Sequence, residues 1–460
     1  MGCCNEHSRA ELLRRGLAEA GRGLPAIEPG MPLPAGTGLD RRTFVARGVG
    51  LALAVYGGSS LGPRAFDQGI AEAAAAGPQQ KVLVSIFLDG GADALSLLYP
   101  ATDPLYQQLR PRLALAPGAG PVFAEDPNLT WHPSLAPLAQ LHSEGKVSVM
   151  PGIGYDHPNQ SHFTSRHFWE VGAADERLAT GWLGRYLDRV GSPDNPLQGL
   201  SLDWSLQPSL ATAKMPVAAV DAPDRYDFYT RGVWGEVSDR MVDTIGRLGT
   251  LSAHGDPGLV QASEAAQQSA RLYEQLTPFR PKDDRKGIAS PVAYPAGNDA
   301  FPRRLAGLAA MLAAGLPLRV VALSASGGYD THNNQAQELA DDLKLTADSL
   351  LAFQRDLEAR GLADRVLVHV WSEFGRRAKE NGSGGTDHGA AGTGFLIGSR
   401  SAGTMIGEFP GLAKLDADGN LQATADFRGL YAAILEDWLG ADADAIIPGA
   451  RKFARPKILR

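Results

Sequence analysis

One stretch constrains the fold of this chain more than any other: residues 366–397. It opens with an apolar run, Val366–Trp371, of the length of a buried strand. The chain then turns polar at once, through Ser372, Glu373, Phe374, Gly375, Arg376 and Arg377. A Gly/Ser-rich loop at residues 381–385 delivers Thr386, Asp387 and His388, and a second apolar run follows at 393–397. The pattern reads strand, ligand-bearing loop, strand. In open α/β sheets, chemistry collects outside the carboxyl ends of the strands. Glu373, Asp387 and His388 are metal-type ligands in such a place.

The same arrangement recurs upstream. Residues 81–88 form a continuous apolar run, read as a buried parallel strand rather than an edge. It ends in Asp89, Gly90, Gly91, Ala92 and Asp93, where the glycines let backbone approach a ligand closely. Asp89 is assigned to the site and Asp93 to the N-cap of a turn from Ala94. Residues 146–150 are a second buried strand, and a loop then runs to Ser161 ahead of a helical pattern from about His162. Ser161 stands at a helix N-terminus, whose positive end favours an anion or alkoxide. A plain N-cap reading fits it equally. A third strand, 318–323, leads to Asp330 and His332, two apart on an extended loop, so both side chains point the same way.

At 460 residues the chain is one large α/β domain with insertions, or two domains. Its 44% hydrophobic and 21% charged content is ordinary for a globular protein. A net charge of −7, with no basic cluster interleaved with aromatics, argues against nucleic-acid binding. The two cysteines are Cys3 and Cys4, so the rest of the chain can hold no disulfide scaffold, zinc-thiolate site or cysteine nucleophile. Residues 1–77 read as a disordered leader. Arg41 and Arg42 precede a short glycine-rich apolar segment, 48–56, and together resemble a twin-arginine export signal. That segment is too short to span a membrane, which takes about 20 apolar residues. The expectation is a periplasmic or extracytoplasmic protein with no stable membrane span, whose partner during export is the twin-arginine translocase. Residues 78–460 would be the α/β domain, with a cap or insertion at about 190–300 and a polar linker or flap at 278–298.

Four strands therefore end in Asp89; in Ser161 and His162; in Asp330 and His332; and in Glu373, with Asp387 and His388 beyond the last. Carboxylate and imidazole without thiolate suit a divalent metal: zinc, calcium, magnesium or manganese. The ordering resembles the alkaline phosphatase/sulfatase superfamily. More closely, the chain resembles the sulfatase-like, twin-arginine-exported family known as domain of unknown function 1501. Residues 87–93, 160–163, 328–332, 371–377 and 385–389 carry that resemblance, which spans roughly residues 40–450.

The resemblance implies an alkaline-phosphatase-like three-layer sandwich, a mostly parallel central sheet flanked by helices. It implies Asp89 and Glu373 on one metal and Asp330, His332 and His388 nearer a second, with Asp387 as a ligand or as the partner that orients His388. Ser161 would be the nucleophile, His162 a base or oxyanion donor, and Arg166 or Arg376 the group that holds the anion. Phe374 departs from the pattern, since the superfamily commonly places an Asp-His pair after this strand. The Cys/Ser-x-Pro-x-Arg signature of sulfatases is also absent. The implied function is metal-dependent hydrolysis of phosphate or sulfate esters, on a small anionic ester or an envelope component. The alternative is a non-catalytic metal-binding or partner-binding relative of the sulfatase fold.

Overall fold

The structure is a computed structural model that describes residues 31–33, 35, 80–193, 195–224, 235–251, 257–280 and 288–460. Arg41, Arg42 and the remainder of the export reading lie outside the described residues, as do 281–287 of the expected flap.

Among the described residues twelve strands occur in chain order: β1 (Val82–Phe87), β2 (Leu98–Tyr99), β3 (Thr130–Trp131), β4 (Val147–Gly154), β5 (Gly199–Ser201), β6 (Ala218–Ala219), β7 (Val320–Ser324), β8 (Val366–Trp371), β9 (Arg376–Glu380), β10 (Thr386–His388), β11 (Gly392–Ile397) and β12 (Ala425–Asp426). Eight of them build one sheet in the order β12-β4-β11-β8-β1-β7-β5-β6. β1 pairs in parallel with β7 on one side and β8 on the other, with Phe87 level with Ser324 and Trp371. The carboxyl ends of these central strands therefore stand side by side.

Every residue of β1 is buried, because both faces of the sheet are covered. Val82, Val84 and Ile86 enter one hydrophobic cluster, with helices Ala136–Ser143, Ala300–Ala313 and Gln335–Ala359. Leu83 and Phe87 enter the other, with helices His162–Val171, Trp182–Val190 and Phe427–Ala433. The result is a three-layer α/β sandwich, and it explains why these strands read as continuous apolar runs rather than alternating ones. Each fully buried Val, Leu or Ile contributes about 1.5–3 kcal/mol relative to exposure, which fixes the register of the strands that carry the site. In the region read as an insertion, helices Glu236–Leu251 and Pro257–Leu276 join the first cluster through Val242, Leu272 and Leu276.

Three details differ from the sequence reading. β11 runs antiparallel to both β8 and β4. A parallel return would need a crossover, usually a helix, and residues 372–391 form none. The segment expected as a loop at 386–388 is the strand β10, paired antiparallel with β9 so that His388 faces Arg376. Asp93 occupies the N-cap position of helix Ala94–Leu97 but makes no capping bond to the backbone. Its carboxylate instead pairs with the buried guanidinium of Arg110 and accepts from Ser96 Oγ at 2.6 Å. No helix among the described residues is long and apolar enough to cross a membrane.

Candidate metal centre

The site begins with the two glycines after β1. Gly90 and Gly91 adopt positive φ, +116° and +75°. A Cβ on Gly90 would meet the Asp330 amide nitrogen at 2.3 Å, and one on Gly91 would meet Phe374 Cε2 at 2.3 Å. Only glycine lets this turn fit beneath those residues. The turn aims two successive N–H groups at one carboxylate. Gly90 N donates to Glu373 Oε1 at 3.1 Å and Gly91 N to Glu373 Oε2 at 3.0 Å. Such a pair of adjacent amides is an anion-binding nest. Ser372 Oγ adds a third bond to Oε2 at 3.0 Å. Glu373 is fully buried.

The fourth partner of Glu373 is an imidazole. His162, the first residue of helix His162–Val171, sets Nδ1 2.7 Å from Glu373 Oε1. Its other nitrogen, Nε2, lies 3.5 Å from Asp330 Oδ1. Two further imidazoles reach the same oxygen: His332 Nε2 at 3.0 Å and His388 Nε2 at 3.3 Å. The two latter Nε2 atoms are 3.0 Å from each other. Ligand atoms of His162, Asp330 and His388 all lie within 4.8 Å of one another.

Each imidazole is turned the same way by what its Nδ1 meets. His388 Nδ1 donates to the carbonyl of Gln160 at 2.8 Å, and a carbonyl can only accept. His162 Nδ1 faces Glu373, and His332 Nδ1 faces Asp387 Oδ1 at 3.4 Å. With Nδ1 engaged by an acceptor, each ring in its neutral form keeps its lone pair on Nε2, which points inward. Oriented imidazoles of this kind are the ordinary surroundings of a bound transition metal. Two imidazole nitrogens, of His162 and His388, and the Asp330 carboxylate, with no thiolate, form a donor set suited to zinc and its neighbours; calcium and magnesium prefer oxygen alone. The residues present fit a metal ion.

Charge at the centre is tightly balanced. Burial opposes ionisation of Asp330, yet the three imidazoles and the Arg376 guanidinium hold its carboxyl far below the usual carboxylate range. Burial alone would lower the His162 imidazole, but Asp330 and Glu373 at its two nitrogens push it up to about 9. Glu373 is buried, which raises it, but hydrogen bonding to His162 brings it below its ordinary value. Burial keeps His388 below its ordinary value.

The structure thus brings His162, Asp330 and His388 within reach of one ion, with His332 beside Asp330 and His388, and with Glu373 and Asp387 each behind a histidine. Asp89 stands apart, about a third exposed, 3.7 Å from Arg166 Nη1. Arg166, one turn beyond His162, also pairs with Glu170 at 2.8 Å and lies over the Phe87 ring. Arg376 is fully buried: it donates to the carbonyls of Gly91 at 2.7 Å and Thr386 at 2.9 Å, and pairs with Asp330. Ser161 is the half-buried N-cap of the helix that His162 begins, with no side-chain capping bond. Phe374 packs its ring against His162 and His388, at 4.9 and 5.0 Å between centroids. Sequence reasoning gave His162 a catalytic place and Glu373 a ligand's place. The adjacency of Ser161 to His162 was visible, but the nest that turns Glu373 inward joins residues 283 positions apart.

The fold is an α/β sandwich, and this cluster is a candidate metal pocket at the carboxyl edge of its sheet. The family model described as "Protein of unknown function (DUF1501)" matches residues 149–446, and the chain belongs to that family. No curated protein matches it. Among solved structures it is similar to the C-terminal periplasmic domain of EcEptC from Escherichia coli in complex with Zn, at 9% identity, TM-score 0.36, covering 81% of this chain and 88% of that one. It is also similar to the soluble domain of lipooligosaccharide phosphoethanolamine transferase A from Neisseria meningitidis, at 10% identity and TM-score 0.35, covering 88% and 98%. A third is the PsFucS1 sulfatase from Pseudoalteromonas sp., at 11% identity and TM-score 0.32, covering 86% and 77%. These superpositions are loose, and the chemistry of the site is read from its own residues.

Proposed function

We propose that this protein is an exported, single-metal hydrolase of phosphate or sulfate esters. The observation that carries the reading is the convergence of His162, His332 and His388 Nε2 on Asp330, each imidazole held by an acceptor at its far nitrogen. His162, Asp330 and His388 would hold the ion, with His332 beside them against Asp330 and zinc the best match to the donor set. Glu373 and Asp387 act as orienting carboxylates. A bound ion there would polarise an ester oxygen and lower the pKa of a nearby hydroxyl.

The remaining parts follow from the chain itself. Ser161 sits at the positive end of helix His162–Val171, one residue from His162. Its hydroxyl is the nucleophile: the new bond to phosphorus or sulfur forms as the bond to the alcohol oxygen breaks, the serine proton leaves with the alcohol, and water then releases the phosphate or sulfate and restores the hydroxyl. Arg166 holds the non-bridging oxygens of the ester. Arg376 is consumed by backbone carbonyls and Asp330, so its role is to fix the metal carboxylate rather than to meet substrate. The paired arginines of the leader direct export of the folded protein by the twin-arginine route.

Elemental analysis of the purified protein is expected to give one divalent ion per chain, with a lower melting temperature after chelation. Aryl phosphates, phosphodiesters and aryl sulfates then separate the readings. Turnover that is lost in Ser161→Ala, with metal retained, supports the hydrolase. Bound metal without turnover on any of these classes favours a non-catalytic metal-binding relative, the reading to which Phe374 against His162 and His388 lends weight. Replacing Arg41 and Arg42 with lysine would abolish export of the full chain, and unchanged export would remove the twin-arginine assignment.

A further inference from the structure

Five of the six tryptophans among the described residues are buried, at no more than 4% exposure. Trp204 is 79% exposed, more than any other large hydrophobic side chain among them. An indole left in water forgoes a large hydrophobic gain. This one is not on a frayed segment. It lies on the turn after β5, and that turn is braced on both sides of it. Asp203 accepts from the Trp204 amide at 2.9 Å and pairs with Arg304 at 3.3 Å. The Ser205 carbonyl accepts from Ser201 Oγ at 2.8 Å. Gln207 Nε2 donates to Asp203 Oδ2 at 2.8 Å and to Ser324 Oγ, at the end of β7, at 3.0 Å.

The same turn reaches the metal centre. Gln207 Oε1 accepts from Arg166 Nη2 at 3.2 Å, and Arg166 is one helical turn, about 5.4 Å of axis, from His162. β5 lies beside β7 in the sheet, so its turn shares the carboxyl edge with Asp330. An exposed indole thus stands on a braced turn at the same edge of the sheet as the pocket, and that turn is joined to Arg166 through Gln207.

The neighbourhood selects the occupant. A protein partner would want a contiguous apolar patch depleted of charge, but Trp204 is set among Asp203, Ser205 and Gln207. A quaternary ammonium would want a cage of several aromatics. One exposed aromatic face on a turn of polar residues suits a sugar ring, whose C–H face stacks while its hydroxyls hydrogen-bond. We propose that Trp204 is the platform of a carbohydrate subsite, and that the ester cleaved at the metal centre is carried by an oligosaccharide. The second half of this proposal rests on the hydrolase reading above; the first half does not.

The test uses the full-length, metal-loaded protein and Trp204→Ala, with Trp204→Phe as the conservative variant. Probes are hexasaccharides of chondroitin, chondroitin sulfate and chitin, titrated calorimetrically and by tryptophan fluorescence. At least one hexasaccharide is expected to bind the wild type, tenfold or more weakly to Trp204→Ala, and within about threefold of wild type to Trp204→Phe, the aromatic face being what is read. Turnover of an aryl ester without sugar should be unchanged by either variant, whereas KM for a sulfated oligosaccharide should rise in Trp204→Ala with kcat held. No binding by any hexasaccharide, or equal binding by wild type and Trp204→Ala, overturns the subsite whatever the esterase result. Binding that depends on Trp204 in a protein inert toward every ester retains the subsite and removes the hydrolase reading alone.

Discussion

At the scale of single residues, Glu373 is the most informative side chain of the site. A carboxylate at a strand end reads naturally as a ligand, and its type and position suggested that role. The structure surrounds both of its oxygens with the amides of Gly90 and Gly91, the Ser372 hydroxyl and His162 Nδ1. Its proposed function is to set the tautomer of His162. Glu373→Gln is therefore expected to weaken metal binding about 10–100-fold, measured by competition with a chromophoric chelator. It should also lower stability by about 1–3 kcal/mol, because an amide N–H would meet donors it cannot satisfy. Metal affinity equal to wild type would mean that His162 is not a ligand. Asp330, His332 and His388 were legible from glycines preceding ligand-type residues on strand-end segments. The part played by His162 was not, because it depends on which nitrogen points inward.

At the scale of elements, the turn after β1 is a mould as well as a connection. Gly91 has φ +75° and leaves room for the Phe374 ring. Gly91→Ala carries two separable costs: about 1–2 kcal/mol for the left-handed backbone and about 1–3 kcal/mol for overpacking against the ring. Pairing it with Phe374→Leu should recover the second cost and leave the first, read from denaturant melts as a double-mutant cycle. Full additivity would show that the two do not touch in solution. The strands themselves were legible because burial on both faces gives an uninterrupted apolar run, as in β1 and β8. The direction of β11 was not, since an apolar run has the same composition whichever way it enters a sheet. Thr386 to His388 read as loop for a related reason: three polar residues carry no period, and their strand conformation comes from pairing with β9.

For the whole molecule, a second buried charge cluster lies outside the metal pocket. Asp93 and Arg110 are both without exposed side-chain surface and joined by a salt bridge. Gln335 Nε2 donates to Asp93 at 2.6 Å, and its carbonyl accepts from Thr386 at 2.7 Å, so the pair ties the β1 turn to the long helix Gln335–Ala359 and to β10. Burial works against ionisation of Asp93, but Arg110 and the hydrogen bonds win, and its pKa is lowered. The stabilisation is therefore complete above the unfolded-state pKa, near 3.9, and is lost as pH falls below that toward the folded value. Asp93→Asn should cost roughly 3–5 kcal/mol at neutral pH by leaving Arg110 buried and unpaired. It should also flatten the acid limb of the stability curve, measured by urea melts from pH 7 to pH 3. A variant with the wild-type slope in acid would assign that limb to other carboxylates.

The reversed strand β11 has a consequence for how such a site can vary. Because β8 leaves the sheet and β11 re-enters it on the same edge, the intervening residues 372–391 never cross to the far side. Their length is set only by the span between adjacent strands, not by the thickness of the domain. What holds the tip of the β9–β10 hairpin is its side contacts: the Gly384 carbonyl accepts from the Gln335 amide at 3.1 Å, and Asn381 Nδ2 donates to the His332 carbonyl at 2.9 Å. The rim of the pocket is in this sense a separate margin held on a fixed frame.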